Sequence, residues 1–284
     1  MSSLSTPASH AGTPGNGEPL LVLLDPAAKQ ADGESVRIAK DVLCGGTDVK
    51  VAYPESPSEL DRVLSHRGRR RPVVIGSDLA LQRVLQALHR QRELGSDPVG
   101  LIPVGRPAEL TAARALGVPV QPVPAARAVL GGAPRKLDLL VDDGGGVVLG
   151  AVRIAGAAGR GGRVRPGGWR SLWAKFAASE QGTSAGPEGA GEHQTARLRV
   201  EADGRLLADV HRPVRVVQVS LPVGEGAMEI VVRASGAPVR ARAGTITVAG
   251  RGFAYEADGR QVGPVRTRTW TVHAGSWGLL LPAG

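Results

Sequence analysis

Short apolar runs alternate with amphipathic stretches from Pro19 to about Val120. Four of these runs are too short for helices and end at Gly or Pro, which is typical of buried strands; they span residues 20–24, 49–53, 72–75 and 98–103. The stretches between and after them predict helices at 35–43, from 56 or 58 to about 66, after Gly76, and at 107–116. Strands that alternate with helices predict a parallel sheet covered on both faces.

The helix predicted after Gly76 has the clearest periodicity. Its apolar residues recur at i, i+3, i+4 and i+7, which places them on one face: Leu81, Val84, Leu85 and Leu88. Serines supply the expected helix starts, because a Ser side chain accepts a hydrogen bond from an N–H group of the first turn. We expect Ser35 to cap the helix at 35–43, and Ser56 or Ser58 to cap the next helix.

After about residue 124 the pattern changes to short strands separated by turn pairs such as Asp203-Gly204 and Asp258-Gly259. Strands are predicted at 137–142, 146–154, 197–202, 206–211, 214–221, 228–232, 239–243, 245–249, 253–257 and 269–273, with one helix near 169–178. This pattern predicts an antiparallel β-sandwich. The expected organisation is therefore a disordered tail at 1–18, an α/β domain at 19–124 and a β-sandwich at 125–274, with a cleft between the domains. A mobile loop is expected at 182–191, and residues 275–284 are expected to pack back on the first domain.

Charge and cysteine content limit the classes of partner. The net charge is +9, carried mainly by arginines in clusters such as 67–71 and 160–170, so anionic partners are favoured, although each cluster alone is typical of a solvated loop. Aromatic residues make up 3%, too few for a base-stacking nucleic-acid surface. The single cysteine, Cys44, excludes a disulfide framework. No apolar run approaches the roughly 20 residues that span a bilayer, so a cytoplasmic protein with peripheral contact to anionic membranes is expected.

Three loops follow the predicted strands. The first strand ends in Asp25-Pro26, the third runs into Gly-Ser-Asp-Leu-Ala at 76–80, and the fourth runs into Pro-Val-Gly-Arg-Pro-Ala-Glu at 103–109. This series resembles the diacylglycerol kinase catalytic-domain family, which includes bacterial lipid kinases and sphingosine kinases and is related to NAD kinases. The family's loops read Asn-Pro, Gly-Gly-Asp-Gly-Thr and Pro-Leu-Gly-Thr-Gly-Asn-Asp. The resemblance covers nearly all of the chain after residue 18, with partial matches in each loop.

The resemblance implies ATP-dependent phosphorylation of a hydroxyl on diacylglycerol or a related lipid, with Mg²⁺. It implies that Asp258, in the segment 258–260, is the general base. It also implies that Glu225 and Glu229, in the segment 225–229, are acidic residues of the metal site. The implied nucleotide-binding residues are Asp25, Gly76, Ser77, Asp78, Gly105, Arg106 and Glu109. Asp258-Gly259 is also typical of a plain hairpin turn, and both glutamates are also typical of surface charges. The sequence leaves open whether the chain forms a homodimer.

The loops depart from the family where phosphates would bind. Leu79 and Ala80 replace a Gly and a Thr, and Pro107 removes an N–H donor. Arg106 would compensate, because guanidinium groups bind phosphate. Arg260 replaces a Glu beside Asp258 and is expected to lower the pKa of that carboxyl. The alternative function is therefore a catalytically inactive homologue that binds a nucleotide, a lipid or a partner protein.

Overall fold

The computed structural model describes residues 17–155 and 195–283, which form two lobes. The predicted tail at 1–18 lies almost entirely outside the described residues. The helix predicted near 169–178, the loop at 182–191 and the arginine cluster at 160–170 also lie outside them.

The first lobe is built on a four-stranded parallel sheet. Its strands are β1 (Leu20–Leu24), β2 (Val49–Ala52), β3 (Arg71–Gly76) and β4 (Gly100–Pro103), in the order β2-β1-β3-β4. All four strands were predicted from sequence, and β1 is buried along its whole length. A continuous apolar strand of this kind is stable only where helices cover both faces of the sheet.

Helices cover both faces, as predicted. They are α1 (Pro26–Ala31), α2 (Gly33–Gly46), α3 (Pro57–Ser65), α4 (Asp78–Arg90), α5 (Thr111–Ala115) and α6 (Pro122–Gly131). One face, with Leu20, Val22 and Leu24, shares a buried cluster with α1, α2 and α6. The opposite face, with Leu21 and Leu23, shares a second cluster with α3, α4 and α5.

The helix starts agree with the sequence at one site and differ at another. Ser56 caps α3 by accepting a hydrogen bond from the N–H of Glu59 at 3.2 Å, as predicted. The prediction for Ser35 was wrong, because α2 begins earlier and Asp32 is its cap. The Asp32 carboxylate accepts hydrogen bonds from both the N–H and the hydroxyl of Ser35, and so binds the residue that was expected to cap.

The segment after β4 differs most from the prediction. Instead of one helix at 107–116, a 3₁₀ turn at Pro107–Glu109 precedes the short α5. The apolar, proline-containing segment at 122–131, which was not predicted as helical, forms α6. Proline at the first turn is compatible with a helix, since the first N–H groups have no intrahelical partner. α6 packs against α2 and β4, so the first lobe continues through Gly131.

Within the described residues the second lobe is an antiparallel sheet of ten strands, which confirms the predicted fold class of an α/β domain followed by an antiparallel β domain. Its main path runs β12-β11-β10-β7-β13-β14-β5-β6, while β8 pairs with β13 and β9. The strands are β5 (Ala133–Asp142), β6 (Val147–Val148), β7 (Ala151–Ala155), β8 (Leu198–Ala202), β9 (Arg205–Ala208), β10 (Val216–Ser220), β11 (Met228–Arg233), β12 (Val239–Ala243), β13 (Thr245–Ala257) and β14 (Arg260–Leu281).

The long strand β13 joins two halves of this sheet. The segments predicted at 245–249 and 253–257 form one strand, whose register shifts after Ala249 and again after Phe253. Its first half pairs with β8 and its end pairs with β7. Buried side chains from both halves belong to one cluster, so the sheet folds over on itself around a single core.

The last strand connects the two lobes. β14 extends far beyond the predicted 269–273, and its end pairs with β5 next to the first lobe. The N–H of Leu280 donates to the carbonyl of Val99 at 3.0 Å, and the N–H of Val99 donates to the carbonyl of Gly278 at 2.8 Å. Trp277 and Leu279 are buried in the same cluster as α4. None of the helices in the described ranges is long and apolar enough to cross a bilayer.

Candidate functional site

A cleft of about 360 Å³ lies between the lobes, at the carboxyl ends of β1, β3 and β4 and against the turn between β13 and β14. In a parallel sheet this edge is the usual position for a ligand. The cleft brings together six of the residues predicted from sequence: Asp25, Ser77, Asp78, Gly105, Glu109 and Asp258. Its volume falls within the range of about 300–1,000 Å³ that is typical of small-molecule sites.

Asp25 lines this cleft, and Gly76 lets the elements beside it pack closely. Asp25 caps α1, since its Oδ1 accepts a hydrogen bond from the N–H of Ala27 at 3.1 Å. Gly76 is not among the lining residues. A Cβ at position 76 would lie 2.8 Å from the Cβ of Asp25 and 2.9 Å from the Cβ of Ala80, so glycine allows β1, β3 and α4 to converge here.

The first turn of α4 faces the cleft. Ser77, Asp78 and Leu79 line it, and the Ser77 hydroxyl makes no capping hydrogen bond. The first N–H groups of a helix have no intrahelical acceptor and carry a partial positive charge, which favours anions. Leu79 lines the cleft at this turn without filling it.

Asp78 links two helices. Its carboxylate accepts hydrogen bonds from the N–H groups of Ala112 at 2.7 Å and Ala113 at 2.9 Å, both in α5. Burial raises the pKa of Asp78 to about 6, and the nearby charge of Asp258 acts in the same direction. The carboxyl therefore holds α4 against α5 while it borders the cleft.

Asp258 links the β13–β14 turn to the segment between β6 and β7. Its carboxylate accepts hydrogen bonds from the N–H groups of Leu149 (2.6 Å), Gly150 (3.0 Å) and Ala151 (3.1 Å). Its φ of +44° lies in the left-handed region, which Asp tolerates better than most residues. Burial raises the pKa of Asp258, so the expectation that Arg260 lowers it was wrong: desolvation outweighs the hydrogen bonds, and Arg260 is not among the causes.

The loop after β4 contributes Gly105 and Glu109, but its arginine points elsewhere. Glu109 accepts a hydrogen bond from the N–H of Arg106 at 2.9 Å. The Arg106 side chain is 83% exposed and, like Pro107, does not line the cleft. Arg106 was expected to compensate for the lost phosphate-binding groups, and Pro107 was expected to weaken phosphate binding. Neither residue borders the cleft in this structure.

Glu225 and Glu229 also lie away from the cleft. Glu225 forms an ion pair with Arg242, and Glu229 is the cross-strand neighbour of the same arginine. Both glutamates are therefore placed beside a cation rather than beside other acids. Across residues 17–155 and 195–283, no group of three or more His, Cys, Asp or Glu side chains is arranged to hold a metal ion.

Sequence reasoning did not assign two arginines that line the cleft, Arg83 on α4 and Arg260 at the start of β14. Arg83 falls on the polar side of α4, opposite Leu81, Leu85 and Leu88, where an exposed arginine is common. Arg260 was considered only for its effect on Asp258. The sequence could have indicated these two arginines only by their nearness to predicted site residues, since each lies within five residues of one.

Comparison with known proteins gives a likeness in structure only. No model of a protein family matches the sequence, and no curated protein does. A solved structure described as a putative diacylglycerol kinase from Bacillus anthracis str. Sterne superposes with a TM-score of 0.73 at 13% identity, over 96% of this chain and 98% of that chain. A second structure with the same description gives 0.70 at 14% identity, over 94% and 98%. A third, described as a diacylglycerol kinase from the same organism, gives 0.67 at 13% identity, over 94% and 97%. The chain therefore has the two-lobe fold of these diacylglycerol kinase structures along nearly its whole length.

Proposed function

We propose that this chain is a lipid-kinase-like protein that binds ATP in the interlobe cleft and transfers the terminal phosphate to a hydroxyl of diacylglycerol or a related lipid. One observation carries the proposal. The cleft gathers residues from three loops of the parallel sheet and from the β13–β14 turn, and these are the loops in which the sequence resembles the family. The fold shared with the Bacillus anthracis structures supports the same reading.

The phosphate end of the nucleotide belongs at the first turn of α4. Ser77, Asp78 and Leu79 line the cleft there, and the uncapped N–H groups of the turn offer hydrogen bonds to phosphate oxygens. Leu79 reduces how closely a phosphate approaches, compared with a glycine-rich loop, because it lines the cleft and carries a Cβ. We therefore expect weaker nucleotide binding than a glycine-rich loop would give.

The described residues do not form a preorganised Mg²⁺ site. Asp78 and Asp258 line the cleft, but their oxygens accept hydrogen bonds from backbone N–H groups. Mg²⁺ commonly binds through one or two carboxylates together with substrate phosphates. The ion would thus enter with the nucleotide, near Asp25 and Glu109 at the cleft wall, since each of these carboxylates accepts only one backbone hydrogen bond within the described residues.

Asp258 is the proposed base for the acceptor hydroxyl. Burial raises its pKa, which makes the carboxylate a stronger base than an exposed aspartate. A carboxylate has about four lone-pair sites, and backbone donors occupy three of them here. The side-chain amide of Gln82 also donates to Oδ2 at 3.5 Å, so an acceptor hydroxyl would compete with Gln82 for the remaining site.

The hydrogen bonding of Asp258 favours a second candidate function, a catalytically inactive homologue that binds nucleotide or lipid without transfer. In this account Asp258 serves only to hold the β13–β14 turn. Whether the chain is an active kinase or an inactive homologue, its exposed arginines would favour contact with an anionic membrane from the cytoplasmic side.

The two candidates are separated by assaying the full chain with labelled Mg-ATP and vesicles that contain diacylglycerol and anionic lipid. The kinase account predicts label in the lipid, lost in Asp258→Asn and kept in Asp203→Asn, which alters the equivalent Asp-Gly turn far from the cleft. ATP binding without transfer would support the inactive homologue. If calorimetry detects no ATP binding at millimolar concentration, the kinase proposal is refuted, and the remaining candidate is an inactive homologue that binds a lipid or a partner protein.

A further inference from the structure

Arg83 and Arg260 approach the same space from different lobes. Arg83 belongs to α4 in the first lobe, and Arg260 begins β14 in the second. Both line the interlobe cleft, and both also line a second pocket of about 190 Å³ beside it. The two arginine residues therefore lie where the two spaces meet.

The second pocket lies between α4 and the strands β6 and β13. Its other polar groups already have partners inside the protein. Gln86 donates to the carbonyl of Gly145 and accepts from the N–H of Val147, while Tyr255 donates to Asp142 at 3.2 Å. The rest of the wall is apolar, from Val147, Val148, Ala257 and Val262.

The carboxylates around the two arginines are already engaged. Asp142 accepts hydrogen bonds from the N–H groups of Gly144 and Gly146 and lies 3.6 Å from Arg268. Asp78 and Asp258 accept from backbone N–H groups, as described above. Within residues 17–155 and 195–283, Arg83 and Arg260 form neither an ion pair nor a side-chain hydrogen bond. The two arginines therefore offer positive charge to a ligand where the two spaces meet, while Asp25 and Glu109 line only the main cleft.

We infer that Arg83 and Arg260 form a phosphate-binding site that spans the two lobes. A guanidinium group presents a planar pair of N–H donors that matches two phosphate oxygens, and two such groups, one from each lobe, would hold one phosphate between them. Because each lobe supplies one arginine, a bound phosphate joins the lobes.

The phosphate has two possible sources. It is either the terminal phosphate of a nucleotide in the main cleft, which rests on the proposed function, or a phosphate ester in the head group of an acceptor in the second pocket. At about 190 Å³ that pocket is smaller than the roughly 300 Å³ of common ligand sites, so it suits a head group rather than an acyl chain.

The test measures binding of inorganic phosphate, ATP and glycerol 3-phosphate to the full chain by calorimetry. Arg83→Gln and Arg260→Gln should each weaken binding of inorganic phosphate by roughly tenfold or more, since a charge-assisted pair is lost. Arg83→Lys and Arg260→Lys should give intermediate losses. The control is Arg127→Gln, which removes the same charge from an exposed position on α6 and should bind as the wild type does.

The arms of the experiment distinguish the sources and the two proposals. Arginine-dependent binding of ATP that displaces glycerol 3-phosphate assigns the site to the nucleotide, and simultaneous binding of both assigns it to the acceptor. Arginine-dependent binding of inorganic phosphate without ATP binding would sustain this site while refuting the proposed function. Binding that the arginine variants leave unchanged, an equal loss in Arg127→Gln, or no phosphate binding by the wild type would overturn the inference.

Discussion

Two carboxylates that border the cleft also hold the protein together. Asp258 accepts three backbone N–H groups, and Asp78 accepts two at the start of another helix. Removing an acceptor from a buried donor costs more than the bond itself gains, because the donor has no water to replace it. Substitutions at these residues will therefore change stability as well as any activity.

Asp258→Asn should destabilise the fold by about 1–3 kcal/mol, because an amide offers one oxygen to three N–H donors. Asn tolerates positive φ, so the turn itself stays compatible. Urea unfolding measures the difference. The matched control is Asp203→Asn, at an exposed Asp-Gly turn with φ of +46°, whose carboxylate accepts from Gly244 and Thr245. A control loss as large as that of Asp258→Asn would contradict the role given to burial.

The raised pKa of Asp78 predicts how stability depends on pH. The folded chain keeps a proton on Asp78 up to about pH 6, whereas a carboxyl with the usual pKa of 3.8 loses it earlier. The folded state thus binds more protons in this window, so the contribution of Asp78 to stability falls as pH rises from about 4 to 6.

Asp78→Asn should remove this dependence. The stability of the wild type relative to the variant is expected to decrease between pH 4 and 7, by at most about 3 kcal/mol. Urea unfolding at several pH values measures it, with exposed Asp41→Asn as the control. A difference that stays constant or grows with pH would refute the raised pKa.

At the scale of elements, the periodicity of the sequence predicted the strands and the apolar face of α4 better than it predicted where helices begin and end. The four parallel strands and the apolar face of α4 follow from short-range patterns, and Leu81 and Leu85 are fully buried as expected. α6 was missed because its segment contains two prolines, which only the structure shows to lie in the first turn. The shape of the cleft could not be predicted, since it depends on contacts such as that of Asp258 with Leu149, which are 109 residues apart.

The cap of α2 gives a direct test at this scale. Asp32→Ala should destabilise the protein by about 0.5–2 kcal/mol, because the N–H of Ser35 loses its acceptor at a helix start. Ser35→Ala should cost less, since its backbone N–H keeps the bond to Asp32. Thermal unfolding measures the loss of stability in each variant. A larger loss in Ser35→Ala than in Asp32→Ala would indicate that Ser35 caps the helix.

At the scale of the whole molecule, β14 makes the two lobes one folded unit. The strand begins at the cleft with Arg260 and ends in hydrogen bonds with Val99 of the first lobe. Its side chains near the end lie in the core that α4 shares with β5. The geometry of the cleft is thus set by a strand that belongs to both lobes.

Leu279→Ala should therefore destabilise both lobes together, by about 2–5 kcal/mol, since Leu279 is fully buried. Calorimetry should show one unfolding transition at a lowered temperature. Leu206→Ala, at a position 45% exposed in β9, provides the control with the same chemical change and should cost far less. Separate transitions for the two lobes would contradict the coupling.

Hydrogen–deuterium exchange of the full chain with and without Mg-ATP tests the central claim, that the interlobe cleft binds a nucleotide by its phosphates. We predict slower exchange in three segments from both lobes: residues 77–81 at the start of α4, residues 104–110 after β4, and residues 258–260 at the β13–β14 turn. Unchanged exchange in all three at saturating Mg-ATP, or protection confined to other parts of the chain, would contradict the claim.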